Sequence, residues 1–188
     1  MTLSRPAPNF IKELLALSAF FLCTGFDVFS SATVGNSSVP EPAKPVELSR
    51  YLGRWYELGS YPAPFQDGCL ATHADYGLAQ DGSIRVLNSC HKGSVSGKEE
   101  VAEGRAEVVE GSNNAKLKVS FFGPFYGDYW VLDHAADYSW SIVGEPSGRY
   151  LWLLSRTAHP PKATLKHLEN RATEMGYDLK MLKWTEQP

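Results

Sequence analysis

The side chains able to do catalysis or bind metals are scattered through this chain. Glu99 and Glu100 are adjacent, but such a pair is more typical of a solvated strand end or loop than of an acid/base pair. The histidines show no metal-ligand spacing, and isolated surface histidines are usually only solvated; they are His73, His91, His134, His159 and His167. We therefore predict no catalytic residue, no metal site and no cofactor.

Three cysteines carry the remaining reactive chemistry: Cys23, Cys69 and Cys90. Cys69 and Cys90 flank a hairpin signal at Asp81-Gly82, so antiparallel pairing of the flanking strands would bring the two thiols close together. We therefore expect a disulfide between Cys69 and Cys90. Two free, buried thiols are the alternative.

Two short motifs suggest a cation-π contact. Gly53-Arg54-Trp55-Tyr56 opens the region with strand patterning, and Leu154-Ser155-Arg156-Thr157 closes it. The glycine lets the entering backbone turn tightly, and an indole beside a late arginine could plug one end of a barrel. Gly53, Trp55 and Arg156 are therefore predicted to form the closed end of a β-barrel that carries an apolar ligand.

Length and charge limit the class of protein. At 188 residues the chain can form one domain with extensions, but not two ordinary domains. A net charge of -3 and an isoelectric point near 6.0 offer no basic surface for phosphates, so we expect no nucleic-acid partner.

Residues 1–32 have the pattern of a signal segment. Basic residues precede an apolar run over residues 14–22, which is too short to span a membrane, and small residues follow up to Ala32. Cleavage after Ala32 would give a soluble exported protein, whereas processing at Cys23 would give a lipid-anchored one. Leu22 stands where a lipoprotein box normally has a small residue. A buried amphipathic N-terminal helix is the alternative.

The rest of the chain is patterned as a linker followed by strands. Residues 33–46 are small, polar and proline-rich, which predicts a flexible linker. Alternating apolar and polar residues then predict eight strands separated by turn residues. Their approximate positions are 54–61, 70–78, 83–91, 100–110, 115–121, 127–133, 139–144 and 149–155.

These elements predict an all-β fold with one C-terminal α-helix. Eight strands joined by short turns suit an antiparallel up-and-down barrel over residues 47–188. After Pro160-Pro161, apolar residues at helical spacing predict a helix at about 160–175, which ends before Gly176. Residues 181–184 are predicted to form a short final strand.

From about Glu47 to Pro188 the chain resembles the lipocalin family, most narrowly the bacterial outer-membrane lipocalins that are relatives of apolipoprotein D. The motifs that carry the resemblance are Gly53-x-Trp55-Tyr56-Glu57, Asp137-Tyr138, Arg156, and the segments 119–127 and 150–156. Ala136 departs from the family pattern, which usually has threonine there. The resemblance implies an exported protein of the periplasm or outer membrane, with a homodimer as one form.

A barrel of eight strands is just wide enough to hold one small ligand. If Trp55 points inward, alternation along the strands predicts an apolar and aromatic pocket with a few polar tips. The predicted ligand-binding residues are Glu57, Tyr76, Val86, Asn88, Leu117, Val119, Phe121, Tyr129, Trp140, Ile142, Tyr150 and Trp152. Fatty acids and lysophospholipids fit such a pocket.

Two other functions compete with a lipid carrier. The barrel could be filled by its own side chains, with the aromatic run from Phe121 to Trp130 forming an interface instead. Because a few lipocalins use a thiol inside the barrel, Cys69 could also be a nucleophile, although pairing with Cys90 would silence it. We favour the carrier over both, and expect no enzyme.

Overall fold

The computed structural model describes residues 34–188, which form a closed barrel. A one-turn helix, α1 (Leu48–Tyr51), leads into eight strands that pair antiparallel in chain order. The strands are β1 (Gly53–Ser60), β2 (Cys69–Leu78), β3 (Ile84–Lys92), β4 (Lys98–Val108), β5 (Lys116–Phe122), β6 (Phe125–His134), β7 (Trp140–Gly144) and β8 (Leu151–Ser155). Because β1 pairs with both β2 and β8, the sheet closes on itself and the predicted barrel is confirmed.

The predicted C-terminal helix is also confirmed, as α2 (Lys162–Glu174). It begins after Pro160-Pro161 and gives way to Gly176, whose φ of 91° is unfavourable for other residues. A short 3₁₀ turn (Leu179–Met181) and a two-residue strand, β9 (Lys183–Trp184), follow. In residues 34–188 we find no helix with the length and hydropathy needed to span a membrane.

Two apolar clusters lie on opposite faces of the barrel wall. The first fills the narrow part of the barrel interior around Trp55, Val86, Leu117, Val131 and Leu154. The second lies outside the wall, where α2 covers residues of β6, β7 and β8; it contains Leu132, Ile142, Leu151, Leu153, Leu168 and Ala172. Strands under α2 therefore bury both faces, whereas β4 exposes nearly all its residues.

The segment expected as a flexible linker instead packs against the barrel. Asn36 is buried and donates from Nδ2 to the Met175 carbonyl over 2.9 Å, and Val46 lies in the interior cluster. The Ala43 backbone N–H donates to the Leu132 carbonyl over 2.9 Å. A few buried contacts separated by exposed residues hold this segment, and composition alone does not reveal them. The predicted signal segment and Cys23 lie outside the described residues.

The disulfide between Cys69 and Cys90 is confirmed, with the two Cα atoms 5.3 Å apart. It joins the start of β2 to the end of β3. Chain order puts this bond at the open end of the barrel, the mouth, together with the β1–β2, β5–β6 and β7–β8 loops. The opposite end, beside α1, is closed.

Candidate functional site

Arg156 closes the narrow end of the barrel by stacking on Trp55. Its Cζ atom lies 3.7 Å from the centre of the indole, and Trp55 is completely buried. The guanidinium also donates to two backbone carbonyls, that of Arg54 over 2.7 Å and that of Arg50 over 2.6 Å. Gly53 stands beside it with a φ of 89°, which permits the turn into β1. The structure thus brings together the three residues predicted for the closed end.

Four hydroxyl groups form a connected network above this closed end. The Tyr51 hydroxyl lies 3.0 Å from that of Ser141 and 3.1 Å from that of Tyr129, which in turn lies 3.0 Å from that of Tyr76. Tyr51 is fixed by Trp55, whose Nε1 donates to its carbonyl over 2.8 Å. This hydroxyl network spans from α1 across β2, β6 and β7, so it crosses the barrel interior.

The hydroxyl network is uncharged at neutral pH. Burial raises the pKa of Tyr51 to about 12, although hydrogen bonds to Ser141 and Tyr129 oppose this effect. Burial likewise raises the pKa of Tyr76 and of Tyr129 above the ordinary value. The network can therefore donate and accept hydrogen bonds, but it does not present a negative charge to a ligand.

Above the hydroxyl network, the interior wall is apolar and incompletely filled. Five interior side chains are only half-buried although they pack against the interior cluster: Tyr76, Val119, Phe121, Tyr129 and Trp152. Val86 and Leu117, also predicted for the pocket, are fully buried beneath them. Interior side chains that keep accessible surface are the physical sign of a lined cavity.

The carboxylate of Glu57 is buried in the wall and bonded only to neutral groups. Ser60 donates from Oγ to Oε1 over 3.0 Å, and Gln66 donates from Nε2 to Oε2 over 2.7 Å. Thr185, from the C-terminal tail, also donates its hydroxyl to Oε1. Glu57 is only 5% exposed, so these bonds replace the water that a charged carboxylate would otherwise hold.

Gln66 joins Glu57 to the aromatic residues of the mouth. Its Oε1 accepts a 2.9 Å hydrogen bond from Nε1 of Trp152. The Trp152 ring stacks on Tyr150, with ring centres 5.7 Å apart, and Tyr150 contacts Phe65 at 5.6 Å. Gln66 and Phe65 belong to a short 3₁₀ turn in the β1–β2 loop, which therefore lies beside the cavity entrance.

The inward placement predicted for Trp140 and Ile142 is wrong. Both belong to the outer cluster beneath α2, and Trp140 lies against His167 of that helix with ring centres 4.9 Å apart. Ser141 and Val143 point inward instead. Because α2 covers the outer face of β7, both faces of this strand are apolar and alternation cannot identify the inner one.

Asn88 lies at an interior register position, opposite Ala74, but its side chain is exposed. The wall is thin there: Ala102, its neighbour on β4, is exposed as well. The structure therefore places Asn88 at the rim of the cavity, apart from the Glu57 and hydroxyl groups with which it was predicted to bind a head group.

Sequence reasoning missed several polar residues of the interior. Tyr51 and Ser141 belong to the hydroxyl network, while Gln66, Thr185 and Gln187 surround Glu57. Tyr51 precedes the first strand by two residues and could have been noticed as an aromatic beside the Gly53 motif. The tail residues carry no such signal, because their partners lie more than 100 positions away in the chain.

Comparison with known proteins identifies the family. A family model described as a lipocalin-like domain matches residues 46–187. The chain belongs to the lipocalin family. Temperature-induced lipocalin-1 of Arabidopsis thaliana is 42% identical over 156 residues, which cover 78% of this lipocalin and 82% of the relative. The outer membrane lipoprotein Blc of Vibrio cholerae is 40% identical, with coverages of 81% and 91%.

More distant relatives cover more of the chain. Apolipoprotein D of Macaca fascicularis is 33% identical to this lipocalin and covers 94% of it and 96% of the relative. Among solved structures, insecticyanin from the tobacco hornworm Manduca sexta matches with a TM-score of 0.65 over 83% of this chain and 88% of the other. At 21% identity that match supports the fold alone.

Proposed function

We propose that this lipocalin is exported and carries one single-chain lipid, a fatty acid or a lysophospholipid, inside its barrel. The half-buried interior side chains carry this proposal, because they leave apolar and aromatic surface available to a ligand. Each methylene group buried there contributes about 0.8 kcal/mol, so a long acyl chain can bind even after its ordering cost.

Export to the periplasm or the outer membrane is part of the same proposal. The pattern of residues 1–32 supports it, and so does the similarity to the outer membrane lipoprotein Blc of Vibrio cholerae. The Cys69–Cys90 disulfide also fits an oxidising compartment. Storage, transport or maintenance of membrane lipids would be the task of such a carrier.

A thiol-dependent reaction inside the barrel finds no support. The sulfur atoms of Cys69 and Cys90 are joined to each other, so neither is available as a nucleophile. We therefore propose a binding protein with no catalytic activity.

An interface is the second candidate function, because aromatic residues are exposed at the mouth. Phe122 is 81% and Phe125 is 76% exposed, in the loop between β5 and β6. Exposed apolar residues of this kind often mark interaction sites. A homodimer formed through this loop would account for them, with or without a ligand in the barrel.

Titration of delipidated residues 33–188 with a fluorescent fatty acid, followed by competition with unlabelled fatty acids and lysophospholipids, tests the carrier proposal. We expect saturable quenching of tryptophan emission, reversed by the competitors. Folded protein that binds no lipid, but forms a dimer that Phe122→Ser and Phe125→Ser disrupt, would favour the interface instead.

A further inference from the structure

The C-terminal tail fills a gap in the barrel wall. Direct pairing of β1 with β2 ends at Tyr56 and His73, and beyond this point the tail lies between the two strands. The backbone N–H of Thr185 donates to the Leu58 carbonyl over 2.9 Å, and the Glu186 carbonyl accepts from Ala71 over 2.8 Å. We call this part of the wall, where residues 184–187 separate β1 from β2, the seam.

The side chain of Gln187 bridges both strands at the seam. Its Nε2 donates to the Glu57 carbonyl over 2.7 Å and to the Thr72 carbonyl over 2.9 Å. Together with the hydroxyl of Thr185 on the Glu57 carboxylate, this contact places two tail side chains beside Glu57. The tail is therefore part of the polar group around Glu57, and not only a brace on the outside of the barrel.

Glu57 has no cationic partner in the part of the chain that the structure describes. Throughout residues 34–188, no lysine, arginine or histidine nitrogen lies within 4 Å of its carboxylate. Asp133, the other buried aspartate or glutamate on the strands, pairs with both Lys44 and Arg171. A carboxylate that is buried without a cation favours a positively charged ligand.

Two buried polar atoms at the seam also lack a partner. Oε1 of Gln187 and Oγ1 of Thr72 are inaccessible and make no hydrogen bond. Their own residues are joined by the hydrogen bond from Gln187 to the Thr72 carbonyl, so both atoms belong to the seam. Both oxygens can accept a hydrogen bond, and buried polar groups normally have such a partner.

Apolar surface for a chain lies next to this polar group. Gln66 links the Glu57 carboxylate directly to the Trp152 indole, which belongs to the half-buried interior wall. A ligand with its head at the seam could therefore extend its chain along the interior without crossing another charged group.

From these contacts we propose that the seam, formed by Glu57, Thr72, Thr185 and Gln187, binds the primary ammonium group of a single-chain amphiphile. This inference rests on the proposed function and specifies its ligand. An ammonium group has three N–H donors, which suit the carboxylate and the two unpaired oxygens. A trimethylammonium group has the charge without the donors, and a free fatty acid would bring a second negative charge close to Glu57.

Displacement of the uncharged probe N-phenyl-1-naphthylamine by four dodecyl compounds at pH 7.4 tests this inference. Dodecylamine, dodecyltrimethylammonium, dodecanol and laurate share one chain and differ in the head group. We expect dodecylamine to bind about tenfold more tightly than dodecanol, as a charge-assisted hydrogen bond predicts. Laurate should bind more weakly than dodecanol.

Glu57→Gln removes the charge but preserves the shape of the side chain. In this variant the advantage of dodecylamine should vanish while dodecanol binds as before; Glu99→Gln, on the exposed face of β4, should change neither. Dodecanol binding without a preference for dodecylamine in the native protein would overturn the inference and leave the carrier proposal standing. Failure of all four compounds to displace the probe would instead overturn the carrier proposal. The comparison in the native protein remains decisive even if Glu57→Gln does not fold.

Discussion

At the level of single residues, Tyr129 holds the hydroxyl network together. It is the one residue whose hydroxyl contacts two other tyrosines, Tyr51 on one side and Tyr76 on the other. Its neighbours are buried or half-buried, so water cannot readily replace a lost contact. The hydroxyl of Tyr129 therefore both satisfies polar groups and fixes the rings that line the barrel.

Replacing Tyr129 by phenylalanine should lower the free energy of unfolding by about 1–3 kcal/mol, because it leaves the Tyr51 and Tyr76 hydroxyls short of a partner. Urea unfolding, followed by tryptophan emission, measures this change. Tyr126→Phe is the matched control, since Tyr126 is 51% exposed and should tolerate the same change within about 0.5 kcal/mol. Equal effects of the two substitutions would contradict the structural role of the network.

At the level of elements, Asp133 connects β6 to two segments that lie outside the barrel. Its carboxylate lies 2.8 Å from Nζ of Lys44 and 2.6 Å from Nε of Arg171 on α2. Burial tends to raise the pKa of Asp133, but hydrogen bonds from Lys44 and Arg171 outweigh it and hold the pKa below its ordinary value. The ionised carboxylate thus stabilises the packing of α2 and of residues 34–46 on the barrel.

Asp133→Asn should reduce stability by about 1–3 kcal/mol at neutral pH, since both cations lose their charged partner. Because the folded-state pKa of Asp133 is depressed, its contribution is complete above the unfolded value of about 3.9 and is lost as the pH falls through the folded value. The difference between native and variant protein should therefore shrink below about pH 4 in urea unfolding. A difference independent of pH would contradict this role. Asp128→Asn, at an exposed pair with Lys118, is the control.

The disulfide is the second link between elements. It closes a segment of 21 residues that includes the β2–β3 hairpin, so its removal should cost about 2–4 kcal/mol through the greater freedom of the unfolded chain. The double variant Cys69→Ser, Cys90→Ser should match reduced native protein in urea unfolding. Dithiothreitol should not affect the variant, and equal stability of oxidised and reduced native protein would contradict the prediction.

Sequence patterns predicted the elements better than their faces. The eight strands and α2 follow from alternation, turn residues and helical spacing, which are local signals. The inner face of β7 could not be predicted, because Ile142 and Val143 are both buried, one beneath α2 and the other inside the barrel. The contacts of residues 34–46 depend on single buried side chains such as Asn36, which polar composition hides.

The candidate site was predictable only in part for the same reason. Trp55 and Arg156 belong to recognisable motifs, and the apolar wall follows from alternation on β2, β5 and β8. The seam arises instead from contacts between the two ends of the domain, as between Gln187 and Glu57. No local pattern in the sequence encodes such a contact.

At the level of the whole molecule, the barrel is closed and braced at one end and open at the other. Arg156 seals the narrow end, while the half-buried Val119 and Trp152 leave interior surface accessible farther up the wall. The central claim of our account is that a lipid occupies this interior, and two glycines on the wall allow the claim to be tested directly.

Gly127 lies opposite Val119 on the inner face near the mouth, and a Cβ atom added there would meet only the Val119 carbonyl oxygen, at 3.9 Å. Gly77 lies opposite Arg85 on the outer face, with no atom within 4 Å of an added Cβ. Phenylalanine at position 127 should therefore fill the cavity, whereas phenylalanine at position 77 should project into solvent.

The most direct test is to titrate the native protein, Gly127→Phe and Gly77→Phe with the same fluorescent fatty acid, after circular dichroism has shown that all three are folded. Our account predicts that Gly127→Phe weakens binding by about tenfold or more, as loss of roughly two buried methylene groups' worth of contact would, while Gly77→Phe binds like the native protein. Equal binding by all three proteins would place the ligand outside the barrel and contradict the central claim.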